Sequence, residues 1–388
     1  MKKDINDILF HEGEDRENYF QAISPPIIQS SNFAFPSLPE LREMLANEMD
    51  HYVYGRGNNP TVDILRKKMA ALAGAEDALL FGSGSAAVAA AVLSQVNAGD
   101  HIICVDKPYS WTSSLLNKWL TRFQVKTTFV DAKKIENIEA AIQDNTKLLI
   151  LESPNSLTFE LQDLEACADL AKANNIITCI DNSYATPLFQ RPLELGIDIS
   201  VHAITKYPNG HSDVMAGAIC ASKEIIRQIF QHEYMMLGAM LSPHDAALVI
   251  RGLRTLPLRM QRSHESAMKI VEHLAKHPKV KEVLYPFHPS FSQYELAKQQ
   301  MTGAGGLFSV HLDLDTLEQA DAVFHRFKRF KMAASWGGHE SLVLPSAAFY
   351  NIEGREDSPI PFTLFRFYIG LEDVAYLVED IEQALAVL

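Results

Sequence analysis

Ile197-Asp-Ile-Ser-Val-His-Ala-Ile-Thr205-Lys206-Tyr207 and, upstream, Asn175-Ile-Ile-Thr-Cys-Ile180-Asp181-Asn182 decide how this chain reads. Each is a short, nearly continuous apolar run, the pattern of a strand buried on both faces of a sheet. Comparable runs occur at Ala78–Phe81, His101–Val105, Lys147–Leu151 and near Ala216–Ala221. Helical patterns lie between them. Leu65, Met69 and Leu72, for example, mark one helix face, and Gly74 ends that helix. Strands alternating with helices predict an α/β unit with a mainly parallel sheet, spanning residues 61–243. Residues 1–60 show little periodicity. Ser24-Pro25-Pro26 and Phe35-Pro36 break them into extended pieces, so they read as an N-terminal arm without a core of its own. From 244 to 388 the pattern predicts a smaller α+β unit. Its strands fall near Gly306–His311 and Phe365–Ile369, and a last helix runs from Val374 to Leu388.

Composition narrows the function classes. The chain has 388 residues with 35 Lys plus Arg against 48 Asp plus Glu, a net charge of -13. That argues against a nucleic-acid partner or an anionic membrane surface. No apolar run reaches the roughly 18 residues of a membrane span. Met1-Lys-Lys-Asp-Ile-Asn-Asp7 lacks the apolar core of a signal peptide, so the expected location is cytoplasmic. Cys104, Cys167, Cys179 and Cys220 are scattered in apolar contexts without a C-x-x-C pair. They read as buried small side chains in a reducing compartment. The histidines show no ligand spacing, so no metal is expected.

The chemistry starts from Lys206 and Asp181. A lysine after a strand is ordinarily a solvated loop cation. Here a second strand ends in an aspartate. A Schiff-base lysine with a carboxylate for the pyridine nitrogen is the pair that pyridoxal phosphate (PLP) chemistry needs. Gly82-Ser-Gly84-Ser85-Ala-Ala87, between a strand and a helix, can offer backbone N–H groups to a phosphate. The same residues match G-x-G-x-x-A with Asp106 about 20 residues on, as in a dinucleotide fold. A nicotinamide-dependent oxidoreductase is therefore an alternative, although it has no use for Asp181 with Lys206. Tyr52-Val-Tyr54-Gly-Arg56-Gly-Asn-Asn-Pro-Thr61 can grip a phosphate by a guanidinium and a phenol. Tyr109, beyond the strand end at Val105, is placed to stack on a planar ligand.

Taken together these residues resemble the Cys/Met-metabolism family of PLP enzymes, the trans-sulfuration group, over about Ser24 to Leu388. The most specific stretches are Asp181-Asn-Ser-Tyr-Ala-Thr-Pro-Leu-Phe-Gln-Arg-Pro-Leu-Glu-Leu-Gly196 and Thr205-Lys-Tyr-Pro-Asn-Gly-His-Ser-Asp213. Arg251–Leu256, Ser335-Trp-Gly-Gly-His-Glu-Ser-Leu342 and Arg366–Asp373 also match. The resemblance implies PLP-dependent transferase fold type I, the aspartate-aminotransferase-like fold. It implies that Lys206 carries the internal aldimine, Asp181 holds the pyridine nitrogen, and Tyr109 stacks on the ring and assists proton transfer. Gly84, Ser85 and Thr205 would hold the phosphate. Tyr54 and Arg56 would reach the phosphate of a neighbouring subunit, within a tetramer of two active-site-sharing dimers. Arg366 would clamp the substrate carboxylate, with Ser335 nearby.

Several positions depart from the family pattern. After Glu152-Ser-Pro154 come Asn155-Ser156-Leu157, so Ser156 stands where the family has an Asn near the cofactor and carboxylate; Asn155 is the alternative contact. Ala203 replaces a phosphate-binding hydroxyl, Ser85 a Met, and Trp111 a small or polar residue. A cofactor-holding protein without activity is one way to read these changes. With Lys206 and Asp181 in place, the expectation is a carbon–sulfur lyase of sulfur amino acids. The form expected is cystathionine β-lyase-like, giving pyruvate, ammonia and a thiol. The alternative is γ-chemistry of the cystathionine γ-synthase, γ-lyase or O-acyl-homoserine sulfhydrylase kind.

Overall fold

The apolar runs quoted above form the centre of a seven-stranded sheet. The structure, a computed structural model, describes residues 4–353 and 358–388. The strands are β1 (Asp77–Phe81), β2 (His101–Val105), β3 (Lys126–Val130), β4 (Thr146–Glu152), β5 (Ile177–Asp181), β6 (Ile199–His202) and β7 (Gly217–Ala221). Their order is β1-β7-β6-β5-β4-β2-β3, and only β7 runs against its neighbours. β2 and β7 are buried at every position, as continuous apolar strands covered on both faces should be. β3, with the sequence Lys-Thr-Thr-Phe-Val, escapes the apolar pattern because it is a half-buried edge strand.

The helix Pro60–Ala73 begins where the side chain of Asn59 accepts the Thr61 amide at 2.9 Å. It ends at Gly74, whose φ of +70° suits a residue without Cβ. Its buried face carries Leu65, Met69 and Leu72. The N-terminal residues are less coreless than their sequence suggests. Ile8 and Leu9 are buried, and the buried Lys68 ammonium donates to both their carbonyls and to Glu14 Oε1, each at 3.1 Å. The arm proper follows. Phe20 and Ile23 are exposed, and the helix Leu38–Ala46 buries no residue. Between these, Asn59 Nδ2 donates to Ile28 O at 2.7 Å and Thr61 Oγ1 to Pro26 O at 3.0 Å, which fastens the arm to the helix Pro60–Ala73.

The chain divides into two compact units. The first holds residues up to Ser153, with Gln162–Asn209 and Asp213–Arg254; the second holds Pro154–Leu161, Gly210–Ser212 and Thr255–Leu388. The division falls at Arg254/Thr255 rather than at 244, because the helix Pro243–Leu253 packs on the helix Pro60–Ala73. The second unit has a sheet of β8 (Val280–Leu284), β9 (Leu307–Leu312), β10 (Lys331–Met332), β11 (Leu342–Pro345) and β12 (Leu364–Tyr368), in the order β10-β11-β12-β9-β8. Ile270, Val271 and Leu274 of the helix Leu256–Leu274 and Leu377, Ile381 and Leu385 of the helix Val374–Leu385 are buried in this unit. That last helix stops at Leu385, short of the Leu388 its pattern suggests.

Candidate active site

In the first unit the carboxyl ends of the parallel strands gather the chemistry-bearing residues. Asp181 is the last residue of β5 and lies in register with Glu152 on β4 and Val201 on β6. Two residues further on, Ser183 turns back onto it. The Ser183 amide donates to Asp181 Oδ1 at 3.0 Å and its hydroxyl donates to the same oxygen at 2.5 Å. Burial pushes the Asp181 carboxyl above the ordinary carboxylate range; the Ser183 donors and the Lys206 charge pull the other way. Ser183 Oγ also accepts the Ala203 amide at 2.7 Å, which joins the end of β5 to the turn that carries the lysine. β6 stops at His202, so Lys206 follows a turn rather than the strand itself. The Lys206 amide donates to Ala203 O at 3.0 Å and closes that turn. Thr205 Oγ1 accepts the Ala216 amide at 2.9 Å and donates to Ala216 O at 3.2 Å. Its single proton must rotate away from Ala216 to serve a phosphate.

Gly82-Ser83-Gly84 links β1 to the helix Gly84–Leu93. Ser83 caps that helix by accepting the Ala86 amide at 3.1 Å. The amides of Gly84 and Ser85 have no acceptor among the described residues, so the first turn presents two open donors. Close backbone approach explains the glycines. A Cβ on Gly84 would lie 2.9 Å from Ala203 Cβ, and one on Gly217 would lie 2.4 Å from Ser83 O. The helix start, the lysine turn and β7 are thus packed against one another. Open amides, a buried carboxylate and a lysine on the adjoining turn suit a phosphorylated pyridine aldehyde.

Tyr109 lies four residues beyond β2, at the start of the helix Ser110–Ser114, and is 44% exposed. Burial, then the charges of Asp181 and Glu152, raise its phenol above the usual value, so it stays protonated at neutral pH. Trp111 is 65% exposed. Tyr54 and Arg56 pair with each other, the guanidinium 5.5 Å from the ring centre. Both are exposed.

The second unit carries the remaining candidates. Arg366 is buried in the middle of β12, where its guanidinium donates to Ser156 O at 3.0 Å and to Ala334 O at 3.2 Å. It thereby meets Ser156 at the backbone and the carbonyl just before Ser335. Ser335 is half-buried. Asn155 is buried and holds its own loop. Its Oδ1 accepts the amides of Leu157 at 3.1 Å, Thr158 at 2.8 Å and Phe159 at 3.1 Å, and its Nδ2 donates to Thr158 Oγ1 at 2.9 Å. Asn155 is thereby committed to the geometry of its own loop. Two residues of the first unit that the sequence did not single out, Ser183 and Glu152, touch Asp181 and Tyr109 directly. A hydroxyl two residues after a strand-ending Asp is the signal for the first.

The family model of Cys/Met metabolism PLP-dependent enzymes matches residues 6–386. The chain belongs to this family. An L-methionine gamma-lyase of Fusobacterium nucleatum is 38% identical over 392 residues, covering 99% of each chain. A Rhizobium johnstonii protein, bearing a qualified name as a cystathionine beta-lyase, is 38% identical over 386 residues, covering 98% of this chain and 96% of that one. The crystal structure of metB from Corynebacterium glutamicum superposes with a TM-score of 0.92 at 34% identity, covering 99% of this chain and 98% of that one. The fold is therefore PLP-dependent fold type I, and the protein is a PLP-dependent carbon–sulfur lyase of the trans-sulfuration type. The dinucleotide reading of Gly82–Ala87 and the oxidoreductase alternative are set aside by the same match. No described helix is long and apolar enough to cross a membrane. Among the described residues no cluster of His, Cys, Asp or Glu could hold a metal ion.

Proposed function

We propose that this enzyme performs β-elimination on a cystathionine-like substrate. Cystathionine and water would give homocysteine, pyruvate and ammonia. The observation that carries the reading is the sequence around the Arg366 clamp. Ala334 gives its carbonyl to Arg366, and its methyl offers no charge to a distal substrate ammonium. Arg366 would hold the substrate carboxylate, its guanidinium oriented beforehand by the carbonyls of Ser156 and Ala334. Bound PLP supplies an electron sink for charge left at the substrate Cα. Asp181, with Ser183 occupying Oδ1, would turn its second oxygen to the pyridine nitrogen. Lys206 would anchor the cofactor and would take the Cα proton. The Cβ–S bond pair then leaves with sulfur as thiolate. Gly84, Ser85 and Thr205 would hold the phosphate, and Tyr109 would cover the ring.

A second reading is γ-elimination from a substrate with an uncharged thioether arm, such as methionine, giving methanethiol, 2-oxobutyrate and ammonia. The methionine gamma-lyase relative favours it. So does the lack of charge at Ala334, since methionine has no distal amine. In that case Lys206 must also move a Cβ proton. The keto acid distinguishes the readings. Purified enzyme given cystathionine and methionine in parallel should form pyruvate from cystathionine faster than any 2-oxobutyrate. Faster 2-oxobutyrate from either substrate would transfer the assignment to γ-elimination.

A further inference from the structure

We propose that Glu152 is a positioning residue that acts through Tyr109; the inference rests on the reading that Tyr109 stacks on the cofactor. Glu152 ends β4 and is buried. Its Oε2 accepts the backbone amide of Tyr109 at 2.6 Å, across 43 residues of sequence. The Tyr109 carbonyl in turn accepts the Ser113 amide at 3.0 Å. The residue is therefore held on both sides, by the sheet through its N–H and by its own helix through its C=O. Pro108, just before it, has no amide to donate, and the Tyr109 side chain makes no cap for the helix it begins. With nearly half its surface exposed, the ring is not fixed by packing on all sides. The backbone clamp sets its height above the strand ends.

A buried carboxylate gives up its hydration, and the Tyr109 amide offsets part of that cost. In return a bond to an ionised acceptor is shorter and about twice as strong as a neutral one. A small cavity of about 10 Å³ lies beside it, lined by Glu152, Asp181, Pro108, Thr112, Val88 and Val92. That is room for about one water. Removing the Glu152 side chain would enlarge the cavity directly beneath Pro108 and let the Tyr109 turn settle into it. Glu152 and Asp181 lie side by side in register, and after burial their charges raise the Tyr109 phenol.

The test compares PLP dissociation constants and the circular dichroism of bound PLP in Glu152→Ala, Glu152→Asp, Glu152→Gln and Tyr109→Ala. Glu152→Ala should weaken PLP roughly ten- to a hundredfold, the range for losing a hydrogen bond to a charged group, and change the dichroism band. Glu152→Gln keeps an oxygen acceptor for the Tyr109 amide at the same reach and should restore the band, with affinity within about tenfold of wild type. Should Glu152→Ala not fold, Glu152→Asp, one methylene too short to reach, decides, with its far-ultraviolet spectrum as the folding check. Wild-type affinity and dichroism in Glu152→Ala or Glu152→Asp, while Tyr109→Ala loses both, would overturn the role of Glu152 alone. If Tyr109→Ala itself leaves both unchanged, the stacking reading falls and the inference with it.

Discussion

Gly84→Ala would add one methyl where the helix start meets the lysine turn. Its Cβ would stand 2.9 Å from Ala203 Cβ and 3.1 Å from Ala203 Cα, against a comfortable carbon contact of about 3.5–4.0 Å. Neither side can yield freely. Ala203 is held by Ser183 Oγ at 2.7 Å on its amide and by the Lys206 amide at 3.0 Å on its carbonyl. Overpacking of this kind costs about 1–3 kcal/mol. Alanine gains at most about 1 kcal/mol over glycine in a helix, and less at its first position, so the clash should win. If the displacement falls on the lysine turn, PLP affinity drops roughly 5- to 150-fold. The assay is absorbance titration of apoprotein with PLP, alongside thermal unfolding of the apoprotein to separate stability from binding. The double variant Gly84→Ala/Ala203→Gly removes the facing methyl and should recover at least about 1 kcal/mol of coupling. A single variant that binds PLP within about twofold of wild type and melts unchanged would refute the packing argument.

Four further outcomes follow from the same geometry. Arg366→Lys cannot hold two carbonyls and a carboxylate together, so KM should rise roughly tenfold or more with kcat less affected; an unchanged KM would remove Arg366 from the substrate. Burial raises the Asp181 carboxyl, so the folded apoprotein holds that proton more tightly than the unfolded chain, and its stability falls as pH rises through the folded value. Asp181→Asn should therefore raise the apoprotein melting temperature at neutral pH, not at acid pH, while PLP binding is lost; a lower melting temperature at neutral pH contradicts this. Burial lowers the His202 imidazole to about 4, so His202 stays neutral in the fold while the unfolded chain protonates near 6.5. About 3 kcal/mol of stability present above that pH is then lost as pH falls toward 4, and His202→Gln should flatten this part of the unfolding curve. Lys206→Ala mixed with Arg56→Ala should regain activity if Tyr54 and Arg56 serve a neighbouring site; subunit exchange without recovery places each site within one chain.

The core of the first unit was legible because buried parallel strands carry short runs rich in apolar residues, with few polar side chains among them. β2, β4, β5 and β6 all show it. β3 was not, since an edge strand of Lys, Thr and Thr satisfies its pairing without apolar bulk on both faces. β8, β10 and β11 were also missed: two Lys and a Glu interrupt the first two, and β11 is only four residues long. Asp181 was readable as a candidate from its place at a strand end, and Lys206 and Tyr109 from residue type in the turns four residues beyond β6 and β2. Ser183 carries a readable signal, a hydroxyl two residues after a strand-ending Asp, but Glu152 does not, because its importance lies in which oxygen meets which amide. The bonding of Asn155 was hidden for a related reason. An amide after Ser153-Pro154 can face a ligand or close its own turn, and here its oxygen accepts three amides from residues 157–159.

The account stands most directly on Lys206 as the residue that holds the cofactor. Borohydride reduction of the PLP-loaded enzyme, followed by proteolysis and mass spectrometry, reads this out at a single residue. The predicted result is one pyridoxyl-modified peptide, carrying the adduct on Lys206, and no such adduct in Lys206→Ala. A stoichiometric adduct on a different lysine, or a fully loaded enzyme that yields none, would contradict it.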